Sequence, residues 1–297
     1  MTATANDYIK LHFIVFLWGF TGVLGNLISV PTIEMILLRT SFAVVGMAAV
    51  IWYTQGTLAM DKKDLAKILL TGIIVAAHWL AFFISCRIAN PSTGLVGFAT
   101  CSFWAALIEP FAKRRKIQIL EVGLGVFVLI GLYIIFSFNF QYPFGLFLGI
   151  VSGFLAALFN VINSKLVTRV NAHTITFYEM LSAGLFLLLI LPFAIHGWDD
   201  GTWTYIPSWL DILYVALMGW VCTVFAYSAA INLSRKLSVF YIQLALNLEP
   251  IYGITLAILV FGNKEVMAAN FYLGTLIILL AVASYPFLKK RLEAYSR

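Results

Sequence analysis

Residues 68–86 read ILLTGIIVAAHWLAFFISC, nineteen positions without a single Asp, Glu, Lys or Arg. A helix of this length spans about 28 Å, which is close to the thickness of the hydrocarbon core of a bilayer. Similar apolar runs recur along the whole chain of 297 residues, which is 62% hydrophobic and 11% charged. Soluble domains carry about 25% charged residues. The sequence therefore predicts an all-α polytopic membrane protein.

Ten apolar runs of roughly 20 residues predict ten transmembrane helices. They lie near 11–27, 32–53, 66–86, 93–112, 121–140, 144–163, 174–195, 211–231, 238–261 and 267–288. If the N-terminus lies inside, sixteen Lys and Arg residues fall on the cytoplasmic side, and only Arg87 and Lys264 fall on the other side. Positive residues concentrate on the cytoplasmic side of membrane proteins. This asymmetry predicts cytoplasmic N- and C-termini, and the short loops favour a bacterial inner membrane.

The ten predicted helices divide into two sets of five, residues 1–141 and 142–297. Because five is odd, the second set starts on the opposite side of the membrane from the first, as in transporters built from inverted repeats. Gly19 and Phe20 match Gly153 and Phe154 at a constant offset of 134 positions. The sequence thus predicts two inverted five-helix repeats.

Glu249 is the most informative polar residue at membrane depth. A charged group at the centre of a helix costs about 2.5 to 3.5 kcal/mol on insertion scales, so it requires a partner or a watery cavity. Glu249 is flanked by Asn247 and by Pro250, whose missing N–H leaves the carbonyl of Leu246 without its helical partner. Interrupted helices mark binding sites in transporters. We expect Glu249 to act in substrate binding or proton coupling; a proline kink with a carboxyl bonded to a neighbouring helix is the alternative.

Three further ionisable residues deep within predicted spans are candidates for a functional role. Arg39 could form an ion pair with Glu34, contact a substrate, or pair with Glu179 across the repeats, and Glu179 could also be purely structural. His78 could bond a substrate or carry a proton, or it could simply bond a neighbouring helix. Arg39 and Glu179 are therefore candidates, with Glu249, for coupling or ion pairing.

Six segments of the sequence resemble the ten-helix branch of the drug/metabolite transporter superfamily, the EamA-type proteins. The resemblance implies two inverted five-helix repeats around a central cavity lined by the first, third, fourth, sixth, eighth and ninth helices. The fourth helix departs from the family pattern, because Cys101 and Ser102 stand where a proline is common. The segments are WGFTGVLG (18–25), LLRTSFA (37–43), AHWLAFF (77–83), FYEMLSAG (177–184), LNLEPIYG (246–253) and FYLGTLIILLAV (271–282).

The resemblance also implies a secondary transporter of a small molecule, often an exporter, working by alternating access with proton or exchange coupling. Aromatic and polar residues on the lining helices are then the candidate substrate-binding residues. These are Trp18, His78, Trp79, Ser102, Asn160, Tyr227, Asn247 and Glu249.

The positive charges within the predicted spans limit the class of molecule that could be transported. Phosphates require several cations, and Arg39 is the one Lys or Arg deep within a predicted span, so a neutral, zwitterionic or cationic metabolite, amino acid or organic cation is favoured. The scattered cysteines predict neither a metal site nor a cofactor, and the dispersed positive charge predicts no nucleic-acid partner. The expected partners are a small-molecule substrate and the lipid bilayer, and a homodimer is left open.

Two other classes of membrane protein were weighed. A membrane-embedded enzyme could use His78 and Glu249 as acid and base on a lipid-linked substrate, but the sequence has no nucleophile motif and no HExxH spacing. A channel would require rings of like charge or a filter loop. The sequence favours the transporter over both.

Overall fold

The computed structural model of the protein is helical throughout its described part, in which no strand occurs. The predicted all-α class is therefore confirmed. The described residues are 3–89, 91–136, 142–198, 206–249, 251–252 and 269–295.

The helices of the first half follow the predicted spans closely. The fourth predicted span consists of two helices, α4 and α5, separated only by Ala99 and Thr100. Capping is clearest at α1, where Asp7 accepts the backbone N–H of Thr4 at 2.9 Å. The helices are α1 (Ala5–Leu27), α2 (Thr32–Tyr53), α3 (Lys62–Ile88), α4 (Pro91–Phe98), α5 (Cys101–Lys113) and α6 (Ile119–Phe136).

The helices of the second half include one long rod with a change of hydrogen bonding at its centre. In this rod α9, a π-helical segment and α10 follow one another without a break, and we call the middle part, Met218–Tyr227, the π-segment. Single π-helical turns occur often at functional sites. The elements are α7 (Pro143–Leu166), α8 (Ala172–Trp198), α9 (Trp209–Leu217), the π-segment, α10 (Ser228–Leu233), α11 (Val239–Leu246) and α12 (Ala269–Tyr295).

Seven helices of the described part are long and apolar enough to cross a membrane, and Ile119–Ile135 forms a shorter apolar helix. Large apolar side chains such as Val45, Leu70 and Leu189 stay exposed on helix faces, as expected where a face contacts lipid. Much of the ninth predicted span, 238–261, lies outside the described residues. The count of ten therefore stays a prediction.

Helix packing follows a two-fold pattern. α3 packs against α7 and α8, while the π-segment of the continuous rod packs against α1 and α2. α2 also packs against α8, and α6 packs against α12. Each of these contacts therefore has a counterpart in which the equivalent helices of the two halves take each other's place.

The first half of α3 contacts the second half of the chain at two places. We call these contacts, of Asp64 with Arg169 and of Gly72 with Glu179, the Asp64 corner. Arg169 donates to Asp64 at 2.9 Å. Further along α3, Gly72 packs against α8 so closely that a Cβ there would lie 2.5 Å from the carbonyl oxygen of Glu179. Small residues of this kind allow membrane helices to approach and pack. The corner therefore joins α3 to the second repeat.

The rod that begins with α9 makes similar contacts. We call the contacts of Asp211 with Ser29 and Ser208, and of Gly219 with Arg39, the Asp211 corner. Asp211 accepts the backbone N–H of Ser29 at 2.8 Å and that of Ser208 at 2.9 Å. Further along the same rod, Gly219 faces α2, and a Cβ there would lie 3.1 Å from the carbonyl oxygen of Arg39. This corner joins the rod to the first repeat.

The two corners are equivalent by sequence position and lie at opposite ends of the bundle. Asp64 and Asp211 are 147 positions apart, and so are Gly72 and Gly219. Their partners also share one offset, since Arg169 follows Ser29 by 140 positions and Glu179 follows Arg39 by 140. Equivalent contacts at opposite ends are what an inverted repeat produces.

The end of the bundle that contains the Asp64 corner, which we call the basic end, holds every ion pair of the described residues. One buried member is Glu109, which accepts the backbone N–H groups of Val239 and Phe240 at 3.1 and 3.0 Å and binds Lys113 at 2.7 Å. A carboxylate at a helix N-terminus is favoured by the unpaired N–H groups there. Glu109 thus holds the start of α11 against α5.

Candidate functional site

A cavity lies between the two repeats near the middle of the bundle. It encloses about 750 Å³ of space between atoms, including the part open to solvent. Its walls come from α1, α2, α3, α4, α7, the π-segment and α11. The lining residues are Trp18, Thr21, Arg39, His78, Trp79, Phe82, Phe83, Phe98, Ala156, Phe159, Asn160, Cys222, Tyr227, Ile242, Gln243, Leu246 and Glu249.

Trp18 joins α1 to the π-segment at the cavity wall. Its indole N–H donates to the carbonyl of Cys222 at 2.9 Å, and Thr21 one turn later donates to the carbonyl of Trp18 at 2.6 Å. Both residues line the cavity. The indole therefore presents an apolar face there while its polar atom is already bonded.

Arg39 lies on the cavity wall, 4% exposed, and is held by two contacts from other helices. Its Nε donates to Thr223 of the π-segment at 3.1 Å, and its guanidinium lies 4.2 Å from the centre of the Trp79 ring. A cation over an aromatic face is stabilised by the ring quadrupole. These contacts leave the other guanidinium N–H groups for a ligand.

The predicted ion pairs of Arg39 are wrong. Among the described residues, neither Glu34 nor Glu179 lies within 4.0 Å of its guanidinium. Helical periodicity places Arg39 at the right depth, but it does not specify the direction in which the long side chain extends, and Thr223 and Trp79 offer nearer partners.

Gln243 is a cavity residue that sequence reasoning missed. Its side chain is 0% exposed and lines the cavity, and neither atom of its amide has a hydrogen-bond partner among the described residues. Buried polar groups are almost always paired. A polar residue in the apolar run VFYIQLAL (239–246) was the available signal, because such residues in membrane helices are rare.

Glu249 completes the charged part of the cavity. It lies on the wall formed by the chain beyond α11, whereas Arg39 comes from α2, and no ion pair within 4.0 Å joins them in the described structure. Two opposite charges on separate walls leave space for a ligand between them. Pro250, which suggested the interrupted helix, lies outside the described residues.

His78 and Asn160 contribute a polar patch from α3 and α7. The Nδ1 of His78 lies 3.0 Å from the carbonyl of Ser152, and its ring lies beside those of Phe98 and Phe159 at 5.5 and 5.6 Å. Asn160 donates to the carbonyl of Ala156 at 2.9 Å. His78 thus bonds a neighbouring helix while it also lines the cavity.

Tyr227 connects the cavity to a buried carboxyl behind it. Its hydroxyl donates to Glu179 at 3.0 Å and accepts from the amide of Asn163 at 3.4 Å. Tyr227 lines the cavity, whereas Glu179 does not. Glu179 therefore lies one hydrogen bond behind a residue of the cavity wall.

Ser102 and Asn247 differ from the other predicted lining residues, because they do not line the cavity. The Asn247 amide donates to Ser102 at 3.2 Å and also to the carbonyl of Gln243 in its own helix. They join α5 to the end of α11, so the expectation that both face the cavity is wrong. The six others, Trp18, His78, Trp79, Asn160, Tyr227 and Glu249, do line it.

Among the described residues, the cavity combines one Arg, one Glu, an unpaired amide and aromatic walls. Such a set can bind a small polar molecule with an apolar body. Within the described residues, no group of three or more His, Cys, Asp or Glu side chains is arranged to hold a metal ion.

Comparisons with known proteins agree with this architecture. A solved structure described only as "Crystal structure of protein" superposes with a TM-score of 0.76 at 14% identity, covering 96% of this chain and 99% of that one. At this identity the likeness shows the fold alone. No curated protein matches the sequence. The model of the EamA-like transporter family matches twice, over residues 8–137 and 143–285, and the chain therefore belongs to the EamA-like transporter family.

Proposed function

We propose that the protein is a secondary transporter that exports a small zwitterionic or cationic metabolite with an apolar body by alternating access. Family membership supports transport of a small molecule across a membrane. The cavity between two inverted repeats supports alternating access, because rocking of one repeat against the other would open it to either side.

The observation that carries the cargo class is the pairing of charges with an unpaired amide on the cavity wall. Arg39 suits a carboxylate, Glu249 suits an ammonium group, and Gln243 offers both a donor and an acceptor. Phe82, Phe98 and related rings provide apolar and aromatic surface for the body of the molecule. With Arg39 as the one Lys or Arg among the described residues of its walls, the cavity fits a sugar phosphate poorly.

The proposed orientation places the basic end in the cytoplasm of a bacterial cell. This end holds the ion pairs of Asp64, Glu109 and Glu121 with Lys and Arg residues. Positive residues next to membrane helices are retained on the cytoplasmic side. In this orientation the cavity would load from the cytoplasm and release its cargo outside.

The test is counterflow in proteoliposomes with radiolabelled amino acids, amines, nucleosides and sugar phosphates. We expect saturable counterflow of zwitterions or amines with aromatic or aliphatic bodies. Gln243→Leu should weaken the apparent affinity about tenfold, since a lost buried hydrogen bond is worth about 1.4 kcal/mol. Glu249→Gln should reduce counterflow of amines more than that of any neutral compound.

Ser102→Ala is the matched control, because Ser102 lies beside the same helices but bonds Asn247 instead of lining the cavity. Its counterflow should equal that of the wild type. Saturable, tight counterflow of a sugar phosphate would contradict the proposed cargo class. A folded wild-type protein that moves nothing in the panel would count against the proposed transport of such cargo.

A further inference from the structure

Glu179 is a carboxyl without a cationic partner in the interior of the bundle. It is 0% exposed, and within the described part of the chain no Lys, Arg or His nitrogen lies within 4.0 Å of it. An ionised carboxylate in such a place is costly unless it is paired or well bonded. Of the other buried acids, Glu109 and Glu121 each bind a cation at the basic end, and Asp211 accepts hydrogen bonds from Ser29 and Ser208 on both of its oxygens.

The hydrogen bonds of Glu179 are also incomplete. Its Oε2 accepts from Tyr227, but its Oε1 has no partner among the described residues. The Oδ1 of Asn163, whose amide bonds the same tyrosine hydroxyl, also has none. Both unpaired atoms are acceptors, so the cluster lacks a donor. One added proton on the carboxyl provides a donor and removes the buried charge.

Among the described residues, the titratable group that bonds Glu179 is Tyr227. α3 presents Thr71 to it, α7 presents Asn163, and the π-segment presents Tyr227. α2 meets α8 through Thr40 at Gly184, and the Arg39 side chain of α2 extends to Thr223 instead. Tyr227 therefore forms the direct hydrogen-bonded link between Glu179 and the cavity.

We propose that Glu179 is the proton-binding site that couples transport to a proton gradient, with Tyr227 as its connection to the cavity. This inference rests on the proposed transport function. Tyr227 passes its hydroxyl proton to the Glu179 carboxylate and takes one from water in the cavity. One proton is thereby bound, the tyrosine ends neutral, and release runs the same steps in reverse.

The arrangement separates two roles that the sequence had assigned together. Glu249 lies on the cavity wall and contacts the cargo, whereas Glu179 lies behind Tyr227 and binds the proton. A cargo that packs against the Tyr227 ring changes the access of water to its hydroxyl. Occupation of the cavity is thus linked to proton exchange by a single side chain.

The first arm of the test needs no cargo. Infrared spectroscopy of the purified protein follows the C=O stretch of un-ionised carboxyl groups as the pH is changed. We expect a titrating band that is absent in Glu179→Gln. Glu34→Gln is the matched control, because Glu34 is a partly exposed carboxyl on α2 that does not line the cavity, and this variant should keep the band.

The second arm uses phenylalanine as the probe in proteoliposomes, with counterflow and with accumulation under pH gradients of either sign. A gradient of one pH unit supports about tenfold accumulation for each coupled proton. We expect Glu179→Gln to retain counterflow and to lose this accumulation. Tyr227→Phe should slow the gradient-driven phase relative to its own counterflow, and Glu34→Gln should match the wild type.

The two arms give distinct failures. Accumulation in Glu179→Gln equal to that of the wild type, or a set of titrating carboxyl bands in this variant identical to that of the wild type, overturns the assignment of the proton to Glu179. Absence of phenylalanine counterflow in the wild type overturns this cargo for the proposed function, and the infrared arm still decides whether Glu179 binds a proton.

Discussion

The Asp64 corner and the Asp211 corner occupy equivalent places in the two repeats, yet they differ in chemistry. Asp64 binds the half-exposed Arg169, whereas Asp211 is 2% exposed and accepts only serine and backbone donors. The close glycine contacts recur in both corners. The comparison teaches that the repeats share a backbone framework, while the side chains placed on it have diverged.

The same divergence reaches the cavity. Arg39 and Glu179 are equivalent by position, but Arg39 extends into the cavity and Glu179 bonds Tyr227 behind the wall. One repeat thus provides a group for binding a ligand, and the other provides a buried acid. The following substitutions compare how much the shared backbone framework and the divergent side chains each contribute to the free energy of unfolding.

The largest effect is expected at the glycine contacts. Gly72→Val places a Cβ 2.5 Å from the backbone oxygen of Glu179, which cannot move without shifting α8. We expect a loss of about 3 kcal/mol in the free energy of unfolding, at the upper end of overpacking effects. Gly219→Val should cost about 2 kcal/mol, because its closest neighbour is the Cβ of Phe42 at 2.7 Å. Unfolding in mixed detergent micelles measures both.

An equal or larger loss at Gly219 would show that the Asp211 corner is the more tightly packed of the two. Gly123→Val is the control for the substitution itself, since a Cβ there would meet nothing within 4 Å. It should change the stability much less than either contact glycine.

A smaller effect is expected at Asp211. Asp211→Ala removes the acceptor of the backbone N–H groups of Ser29 and Ser208, and hydrogen bonds to a charged group contribute about 1.5 to 3 kcal/mol. We expect a loss of about 2 kcal/mol in the same unfolding assay, with little change when the salt concentration is raised. A marked salt dependence would show that charge, and not hydrogen bonding, stabilises this corner.

The smallest effect is expected at Asp64. Its partner Arg169 has a side chain that is 55% exposed, and exposed ion pairs contribute about 0.2 to 1 kcal/mol. Asp64→Ala should cost about 0.5 kcal/mol and should lose its effect at high salt, because salt screens exposed charges. A double-mutant cycle with Arg169→Ala measures the pair directly, and a coupling above 2 kcal/mol would contradict this ranking.

Sequence reasoning was most successful where hydrophobic length and order carry the information. The spans of α2, α3, α7 and α8 agree with their predicted ranges to within a few residues, except at the polar ends where helices extend into the loops. The family is also the one that the six segments suggested. Length of apolar sequence determines these features, because the bilayer sets the required span.

Sequence reasoning was weaker on the direction in which side chains extend. In a soluble helix the apolar stripe marks the buried face, but a membrane helix is apolar on all sides, so its rotation is poorly encoded. Ser102 and Asn247 were therefore assigned to the cavity although they bond each other, and Gln243 was missed. Thr223, which accepts a hydrogen bond from Arg39, belongs to the π-segment, and no feature of the sequence predicted that segment.

The π-segment has a mechanical consequence for the whole cavity. A helix with a π-helical turn contains one residue more than an α-helix of the same hydrogen-bonded length. If this turn became α-helical, the side chains beyond it would rotate by about 100°, the angle per residue of an α-helix. Thr223 and Tyr227 both lie in this segment. A change from π-helical to α-helical hydrogen bonding would therefore break the bond between Thr223 and Arg39 and the bond between Tyr227 and Glu179 together. The π-segment thus couples two distant contacts.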